Sequence, residues 1–312
     1  MENILEVKNL KKSYKDFEAI KGISFNVRKG EVLGLLGPNG AGKSTTINIL
    51  STILKPTEGE IDFLGKNIKR NVRAVKKNIG IVPQDLAIYE DIPTIQNVRF
   101  FASLYGLKGK ELDDKVKEAL EFVQLYDKKD HKPKTFSGGM KRRLNIACAI
   151  AHNPKIIIMD EPTVGIDPQS RNHILESIKK LQAIGATIIY TTHYMEEVEE
   201  ISDRIIIMDH GVIIAEGTNE ELKKQIDNER TYSISLEGTE KLNEDDFFKI
   251  AGIKKVSLKD EKVQITSLNT VENLDKVITL MLNNGCKIKN ISSSLASLET
   301  VFLNLTGKTL RD

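Results

Sequence analysis

No stretch of the chain approaches the roughly eighteen consecutive apolar residues that a membrane-spanning helix needs. If the protein works at a membrane, another chain must therefore cross it. The N-terminus, Met1-Glu2-Asn3-Ile4-Leu5-Glu6-Val7-Lys8, has no basic segment leading into an apolar one, so no secretory signal is expected. Cysteine is scarce. Cys148 and Cys286 are the only two and lie far apart, which excludes a disulfide framework and suits a reduced, cytoplasmic protein. Cys148 sits among Ile146, Ala147, Ala149 and Ile150 and reads as a core thiol. An excess of one charge is missing too: 46 Lys and Arg face 44 Asp and Glu, a formal net charge of +2. That balance gives no reason to expect a nucleic-acid partner. There is no internal repeat, no long low-complexity tract, no sustained heptad pattern and no CxxC pair.

What is present is ordinary globular material, 312 residues with 40% hydrophobic and 29% charged. This length suits one large domain and a smaller one. Residues 4–36 hold short β-rich runs, among them the alternating Ile23-Ser24-Phe25-Asn26-Val27 and the apolar Val32-Leu33-Gly34-Leu35-Leu36. A helix is expected from Lys43 to Ile53, stopped by Lys55-Pro56-Thr57-Glu58-Gly59, with a strand at 79–82. From about Ile95 to His152 the periodicity is helical, and residues 112, 116, 119, 120 and 123 form one apolar face. Strands follow at 156–159 and 187–190, with a helix from about Pro168 between them. Alternating strands and helices imply an α/β fold with a largely parallel sheet covered by helices. A polar stretch near 223–230 reads as a linker. Beyond it come strand 232–236, helix 244–251, strands 253–258 and 262–265, helix 270–284 and strand 287–291, the βαββαβ order of a ferredoxin-like module. The expected domains are 1–226 and 232–312.

Gly37-Pro38-Asn39-Gly40-Ala41-Gly42-Lys43-Ser44-Thr45 fits the phosphate-loop pattern, after an apolar strand and before a helix. A polyphosphate is multiply anionic, so the loop must wrap it in backbone N–H donors, and glycines let the backbone come close. The following helix points its positive end at the same anion. Lys43 would set a cation against the terminal phosphates, and the Ser44 hydroxyl would join a Mg²⁺ shell. A glycine-rich surface turn is the plain alternative, and pattern and context together favour the phosphate loop.

Ile156-Ile157-Ile158-Met159-Asp160-Glu161 is an apolar strand ending in two acids. Side chains alternate along a strand, so the two can hold different roles. Asp160 would anchor the metal and Glu161 would polarise the attacking water. Without the phosphate loop, a solvated acidic turn would be the better reading. Gln84, after the 79–82 strand, could touch both metal and γ-phosphate, though a surface glutamine is its default. His193 ends the segment 187–192 at a sheet edge where ligands bind in parallel α/β folds. Its imidazole could hydrogen-bond the γ-phosphate or orient water. Phe136-Ser137-Gly138-Gly139-Met140 opens a helix that Ser137 can cap, making a second anion site, or simply a capped helix start.

With these motifs in this order the chain resembles the ATP-binding cassette (ABC) family over residues 1 to about 225. By that resemblance Tyr14 matches the aromatic that stacks on adenine and residues 37–45 the Walker A loop. Gln84 matches the Q-loop, Ser137 to Gly139 the signature, and Asp160 and Glu161 the end of Walker B. Gly165-Ile166-Asp167 matches the D-loop and His193 the switch histidine. The resemblance implies a P-loop ABC ATPase domain, with a mixed sheet core plus a helical subdomain, that binds ATP and Mg²⁺. Two cassettes, alike or different, would dimerise head to tail around two ATP molecules. They would drive a separate transmembrane permease from the inner face of the cell membrane through a groove near the Q-loop. Met140 stands where the family most often has glutamine, while the serine and glycines that touch nucleotide are intact. The runs 136–144, 95–106 and 297–307 look like the ABC-2-type export subgroup, which makes export the better expectation than import. An amphipathic helix packing on its own module also explains 297–307. Two other functions compete. A soluble ABC-type ATPase acting on ribosomes or DNA would usually carry two cassettes, coiled-coil insertions or zinc motifs, and a non-catalytic nucleotide sensor would lack Glu161 or His193. The basic run Lys66, Lys69, Arg70, Arg73, Lys76 and Lys77 has no aromatic residues interleaved and reads as a solvated face.

Overall fold

The computed structural model describes residues 2–15, 17–224, 229–238, 242–259, 261–294 and 297–306. The centre of the expected linker, the domain limits set at 226 and 312, and Gly307 of the C-terminal run lie outside the described residues. The chain divides into two compact units, 1–218 and 219–312.

The first unit begins with β1 (Asn3–Tyr14), β2 (Phe17–Arg28), β3 (Val32–Leu36), α1 (Lys43–Leu50), β4 (Glu58–Phe63), β5 (Lys66–Asn67), α2 (Val72–Asn78) and β6 (Ile79–Val82). It continues with α3 (Thr94–Leu104), α4 (Gly109–Phe122), α5 (Gly138–Ile150), β7 (Ile156–Asp160), α6 (Pro168–Ala183), β8 (Thr187–Thr192), α7 (Met195–Ile201), β9 (Arg204–Asp209) and β10 (Val212–Gly217). Six strands make the central sheet in the order β10-β9-β3-β8-β7-β6, all parallel except the β9–β10 pair. Every residue of β3, β7 and β8 is buried, as befits strands covered on both faces, which is why they read as unbroken apolar runs. A second, antiparallel sheet has the order β2-β1-β4-β5. Ile23, Phe25 and Val27 of β2 turn inward with Ile47, Ile49 and Leu50 of α1 and Ile156 and Ile158 of β7, so one apolar core joins both sheets through α1. Helix α1 ends at Leu50, three residues before the expected stop, because Thr52 takes a left-handed conformation at φ 63°.

Helices α3, α4 and α5 pack on one another as a helical layer. Buried Asn97 of α3 holds the approach to that layer: its amide accepts from Tyr89 N at 2.7 Å and donates to Tyr89 O at 2.9 Å. The basic side chains of the 66–77 run are all exposed, on β5, α2 and the turn between them, as a solvated face requires.

The second unit contains α8 (Asn219–Lys224), β11 (Glu229–Glu237), α9 (Glu244–Phe248), β12 (Ile253–Lys259), β13 (Lys262–Leu268), α10 (Leu274–Asn283), β14 (Lys287–Ser294) and α11 (Leu298–Thr306). From β11 to β14 the connectivity is βαββαβ. The antiparallel order β12-β13-β11-β14 is that of a ferredoxin-like sheet. Tyr232, Ile234, Leu236, Val263 and Ile265 alternate inward against Phe247, Val277 and Met281 of the two helices. Leu298, Val301 and Phe302 of α11 are buried, and α11 packs on α8. Both cysteines are free and buried, and burial pushes the Cys148 thiol well above its ordinary range.

Candidate functional site

The parallel strands of the central sheet deliver their carboxyl ends to one edge, and four of them lead directly into the expected chemistry. β3 runs into residues 37–45, β6 into Gln84, β7 ends at Asp160, and β8 ends one residue before His193. Two glycines of the loop are required by the fold. A Cβ on Gly37 would lie 2.3 Å from the Met208 carbonyl oxygen. Gly42, the residue before α1, has φ 101°, and a Cβ there would lie 2.8 Å from the Ala19 carbonyl oxygen. Gly40 is also left-handed, at φ 82°, Ala41 and Lys43 are buried, and Pro38 and Asn39 stay accessible. Thr45 is half-buried in the first turn of α1.

Lys43 is folded into this loop with only 4% of its surface exposed. Its Nζ donates to Gly37 O at 2.7 Å and Pro38 O at 3.1 Å, and lies 3.2 Å from Glu161 Oε1. Burial lowers the Lys43 pKa, and the Glu161 carboxylate opposes that shift. The ammonium is thus held at the mouth of a ring of backbone groups, ready to exchange carbonyl partners for a phosphate.

Asp160 and Glu161 face different partners, as the strand alternation predicts. Asp160 Oδ1 accepts from Thr191 Oγ1 at 2.6 Å and from Ser44 Oγ at 3.5 Å. Burial raises its pKa and these two hydroxyls work against the rise. Glu161 is buried and sits at φ 45°, a left-handed conformation that costs a non-glycine residue about 1–3 kcal/mol. Thr191 holds it there, because Glu161 N donates to both Thr191 O at 3.1 Å and Thr191 Oγ1 at 3.0 Å. Glu161 Oε2 lies 3.3 Å from His193 Nδ1, a buried ring nitrogen without a hydrogen-bond partner. Lys43, Ser44, Asp160, Glu161 and His193 therefore meet in one place.

Donor chemistry supports a magnesium nucleotide. Ser44 and Asp160 offer hard oxygen atoms of the kind Mg²⁺ takes. Mg²⁺ ordinarily takes one or two protein oxygens and draws its other ligands from phosphates and water.

The remaining expected residues stand apart from this convergence. Gln84 is exposed. Its backbone carbonyl, not its side chain, is held: Arg142 of α5 donates to Pro83 O at 2.8 Å and Gln84 O at 2.7 Å. Ser137 caps α5 by accepting from Met140 N at 3.3 Å, and a Cβ on Gly138 or Gly139 would approach Ile166 or Ser170. Asp167 caps α6 by accepting from Ser170 N at 2.9 Å, and that backbone bond lowers its pKa. Tyr14 is exposed at the end of β1, with Lys12 Nζ 5.0 Å from its ring centre. Three buried groups escaped the sequence reading: Thr191, Arg142 and Glu197. Thr191 and Thr192, adjoining His193 at the end of an apolar strand, were the available signal for the first. A Thr191→Val protein keeps the shape but leaves Asp160 and Glu161 N without this partner. It is expected to lose about 1–3 kcal/mol of stability, read by thermal melting, and a wild-type melting curve would contradict the assignment.

A phosphate loop, a basic side chain and two acids at the carboxyl edge of a parallel sheet define a P-loop nucleoside triphosphatase. The family model for the ABC transporter ATP-binding domain, described as "ABC transporter", matches residues 20–164. The linearmycin resistance ATP-binding protein of Bacillus subtilis is 42% identical over 99% of this chain and 100% of its own length. A daunorubicin resistance ATP-binding protein of Streptomyces coeruleorubidus is 33% identical over 97% of this chain and 96% of its own. A solved dimeric ATP-binding cassette in a post-hydrolysis state, bound to ADP and Pi, is 30% identical with a TM-score of 0.63, covering 69% of this chain and 98% of that one. The chain belongs to the ABC transporter family and is its ATP-binding, ATP-hydrolysing subunit.

Proposed function

We propose that this subunit powers an exporter: two cassettes close on two MgATP molecules and drive a separate membrane-spanning permease from the cytoplasmic face of the cell membrane. The observation that carries the reading is the convergence of Lys43, Ser44, Asp160, Glu161 and His193 at one sheet edge. The export direction rests on relatives named for drug resistance and for Nod factor export. Among the described residues no helix is long and apolar enough to cross a membrane, which agrees with a separate permease.

In this reading Gly37 to Thr45 wrap the phosphates and Tyr14 stacks on the base. Lys43 leaves the Gly37 and Pro38 carbonyls for the terminal phosphates. Ser44, Asp160 and Gln84 would hold Mg²⁺, which would neutralise phosphate charge when bound. Glu161 takes the proton of the attacking water, and His193, whose Nδ1 stands 3.3 Å from Glu161 Oε2, orients the γ-phosphate end. Ser137, Gly138 and Gly139, together with Asp167, serve the nucleotide held by the partner cassette. Beyond Gln84, Tyr89, Phe100 and Phe101 form an aromatic cluster with ring centres 5.3–6.1 Å apart, and Leu86 and Leu104 are exposed nearby in sequence. This is the surface we assign to the permease. Domains 1–226 and 232–312 then divide the work into ATPase and accessory module.

The test is co-purification. Tagged Glu161→Gln protein, given ATP in its native cell and extracted gently, should bring down a polytopic membrane protein. Ribosomes or DNA, with no membrane protein, would replace this reading with a soluble ABC-type ATPase.

A further inference from the structure

The buried carboxylate of Glu197 belongs to none of the roles above, yet it is bonded to Thr192, the residue before His193. It lies on α7, its residue has no exposed surface, and an ionised group so placed must be matched by donors or a cation. One oxygen is well matched. Glu197 Oε2 accepts from Tyr190 Oη at 2.8 Å and from Thr192 Oγ1 at 2.8 Å. Thr192 Oγ1 in turn accepts from Tyr194 N at 2.9 Å, so a chain of bonds from Glu197 holds the two residues that flank His193. Tyr190 Oη also reaches Thr163 Oγ1 at 3.4 Å, two residues beyond Glu161. The other oxygen is unmatched. Glu197 Oε1 is buried without a hydrogen bond, and Arg171 Nε stands 3.6 Å from it. Arg171 is in the first turn of α6, where its own N–H donates to Asp167 O at 2.9 Å, and its guanidinium carbon lies 5.7 Å from the Tyr194 ring centre.

We propose that Glu197 and Arg171 are positioning residues that set the His193 loop according to where the Asp167 segment sits. Advance of Arg171 by a little less than an ångström turns the 3.6 Å ion pair into a charge-assisted hydrogen bond, which is strongest near 2.7–2.9 Å. The carboxylate is then fully matched and its grip on Thr192 is fixed. Retreat of α6 leaves Oε1 bare and frees the carboxylate to turn, carrying Thr192, Tyr194 and the imidazole between them. The position of Asp167 thereby reaches the γ-phosphate end of the site without either residue touching nucleotide. This inference rests on the reading of His193 given above.

The experiment measures steady-state ATPase of the full-length chain with Arg171→Ala, Arg171→Lys, Glu197→Gln, the double variant Arg171→Ala/Glu197→Gln, and His193→Ala. Glu197→Gln keeps an oxygen for Thr192 and Tyr190 but sets an amide beside Arg171. Each of Arg171→Ala and Glu197→Gln should lower kcat about tenfold with KM for ATP within about twofold, the signature of an interaction made for the transition state alone. Arg171→Lys, which keeps the charge, should recover part of the loss. The double variant should be no slower than the slower single one, as contacting residues of one unit are non-additive. A merely structural pair would shift the melting temperature and leave the kcat of folded protein unchanged. Wild-type kcat in folded single variants, or losses that multiply in the double, overturns the proposal. If Glu197→Gln fails to fold, Arg171→Ala decides alone, since that side chain is about one-third exposed. His193→Ala separates the two levels. Wild-type turnover there defeats the reading of the site, whereas an inactive His193→Ala beside a normal Arg171→Ala defeats the positioning role alone.

Discussion

Glu161→Gln protein is expected to bind ATP as tightly as the unaltered chain and to hydrolyse it about 10²–10⁴-fold more slowly, the usual contribution of a positioned general base. The substitution leaves most of the site in place. A glutamine oxygen can still accept from Lys43 Nζ, which stands 3.2 Å from Glu161 Oε1, and the backbone bonds from residue 161 to Thr191 involve no side chain of 161. The left-handed conformation at φ 45° is as strained for glutamine as for glutamate, so the local fold gains and loses nothing. The proton acceptor is what disappears. One electrostatic consequence follows for Lys43, whose pKa is lowered by burial and supported by the Glu161 carboxylate. Without that carboxylate its pKa falls further in the free protein, and a bound polyphosphate restores the countercharge. ATP should therefore stabilise the variant thermally at least as much as it stabilises the unaltered chain. With binding intact and turnover stalled, the ATP-bound dimer should accumulate on gel filtration. Phosphate release at the unaltered rate would remove Glu161 from its assigned role.

The parts of this protein legible in its sequence are those whose cause is local. Residues 37–45 announce themselves because a phosphate loop needs particular residue types at fixed spacing directly after a strand. The same holds for Asp160 and Glu161, which end an unbroken apolar run. The second unit was legible from alternation, as Tyr232, Ile234 and Leu236 turn inward on one strand and Val263 and Ile265 on its neighbour. Illegible features depend on residues far apart. The antiparallel sheet pairs Leu5 with Phe63 and Leu10 with Ile23 across several register shifts, and no short window contains such a pairing. The β9–β10 hairpin escaped for a chemical reason. Its turn, His210-Gly211, has φ 45° and 81°, and histidine is a less telling occupant of a left-handed position than the asparagine or aspartate that usually marks one. Arg142 escaped because its position on α5 gave no hint that it would reach back to the carbonyls of Pro83 and Gln84.

Arg204→Met is expected to destabilise the first unit by about 3–5 kcal/mol, the cost of stripping a buried carboxylate of its partner. Arg204 opens β9, next to the strand that feeds the phosphate loop, and donates to Glu31 Oε1 at 2.8 Å, to Asn26 O at 2.6 Å and to Glu216. Arg204 and Glu31 are each 7% exposed in their side chains, so solvent cannot replace the lost charge. Methionine fills much of the same volume, which confines the loss to electrostatics and hydrogen bonding. For a unit of this size each kcal/mol moves the melting temperature about 2–4 °C, so a fall of roughly 10 °C is expected. The companion variant decides the cause. Glu31→Gln added to Arg204→Met removes the stranded charge and should recover a substantial part of the stability, since a neutral pair can be nearly neutral in cost. If the double variant melts no higher than Arg204→Met, packing rather than charge carries the effect. ATPase activity measured well below the lowered melting point should stay close to that of the unaltered chain, because Arg204 hydrogen-bonds to Asn26, Glu31 and Glu216 and to none of the residues that converge around Lys43 and Glu161.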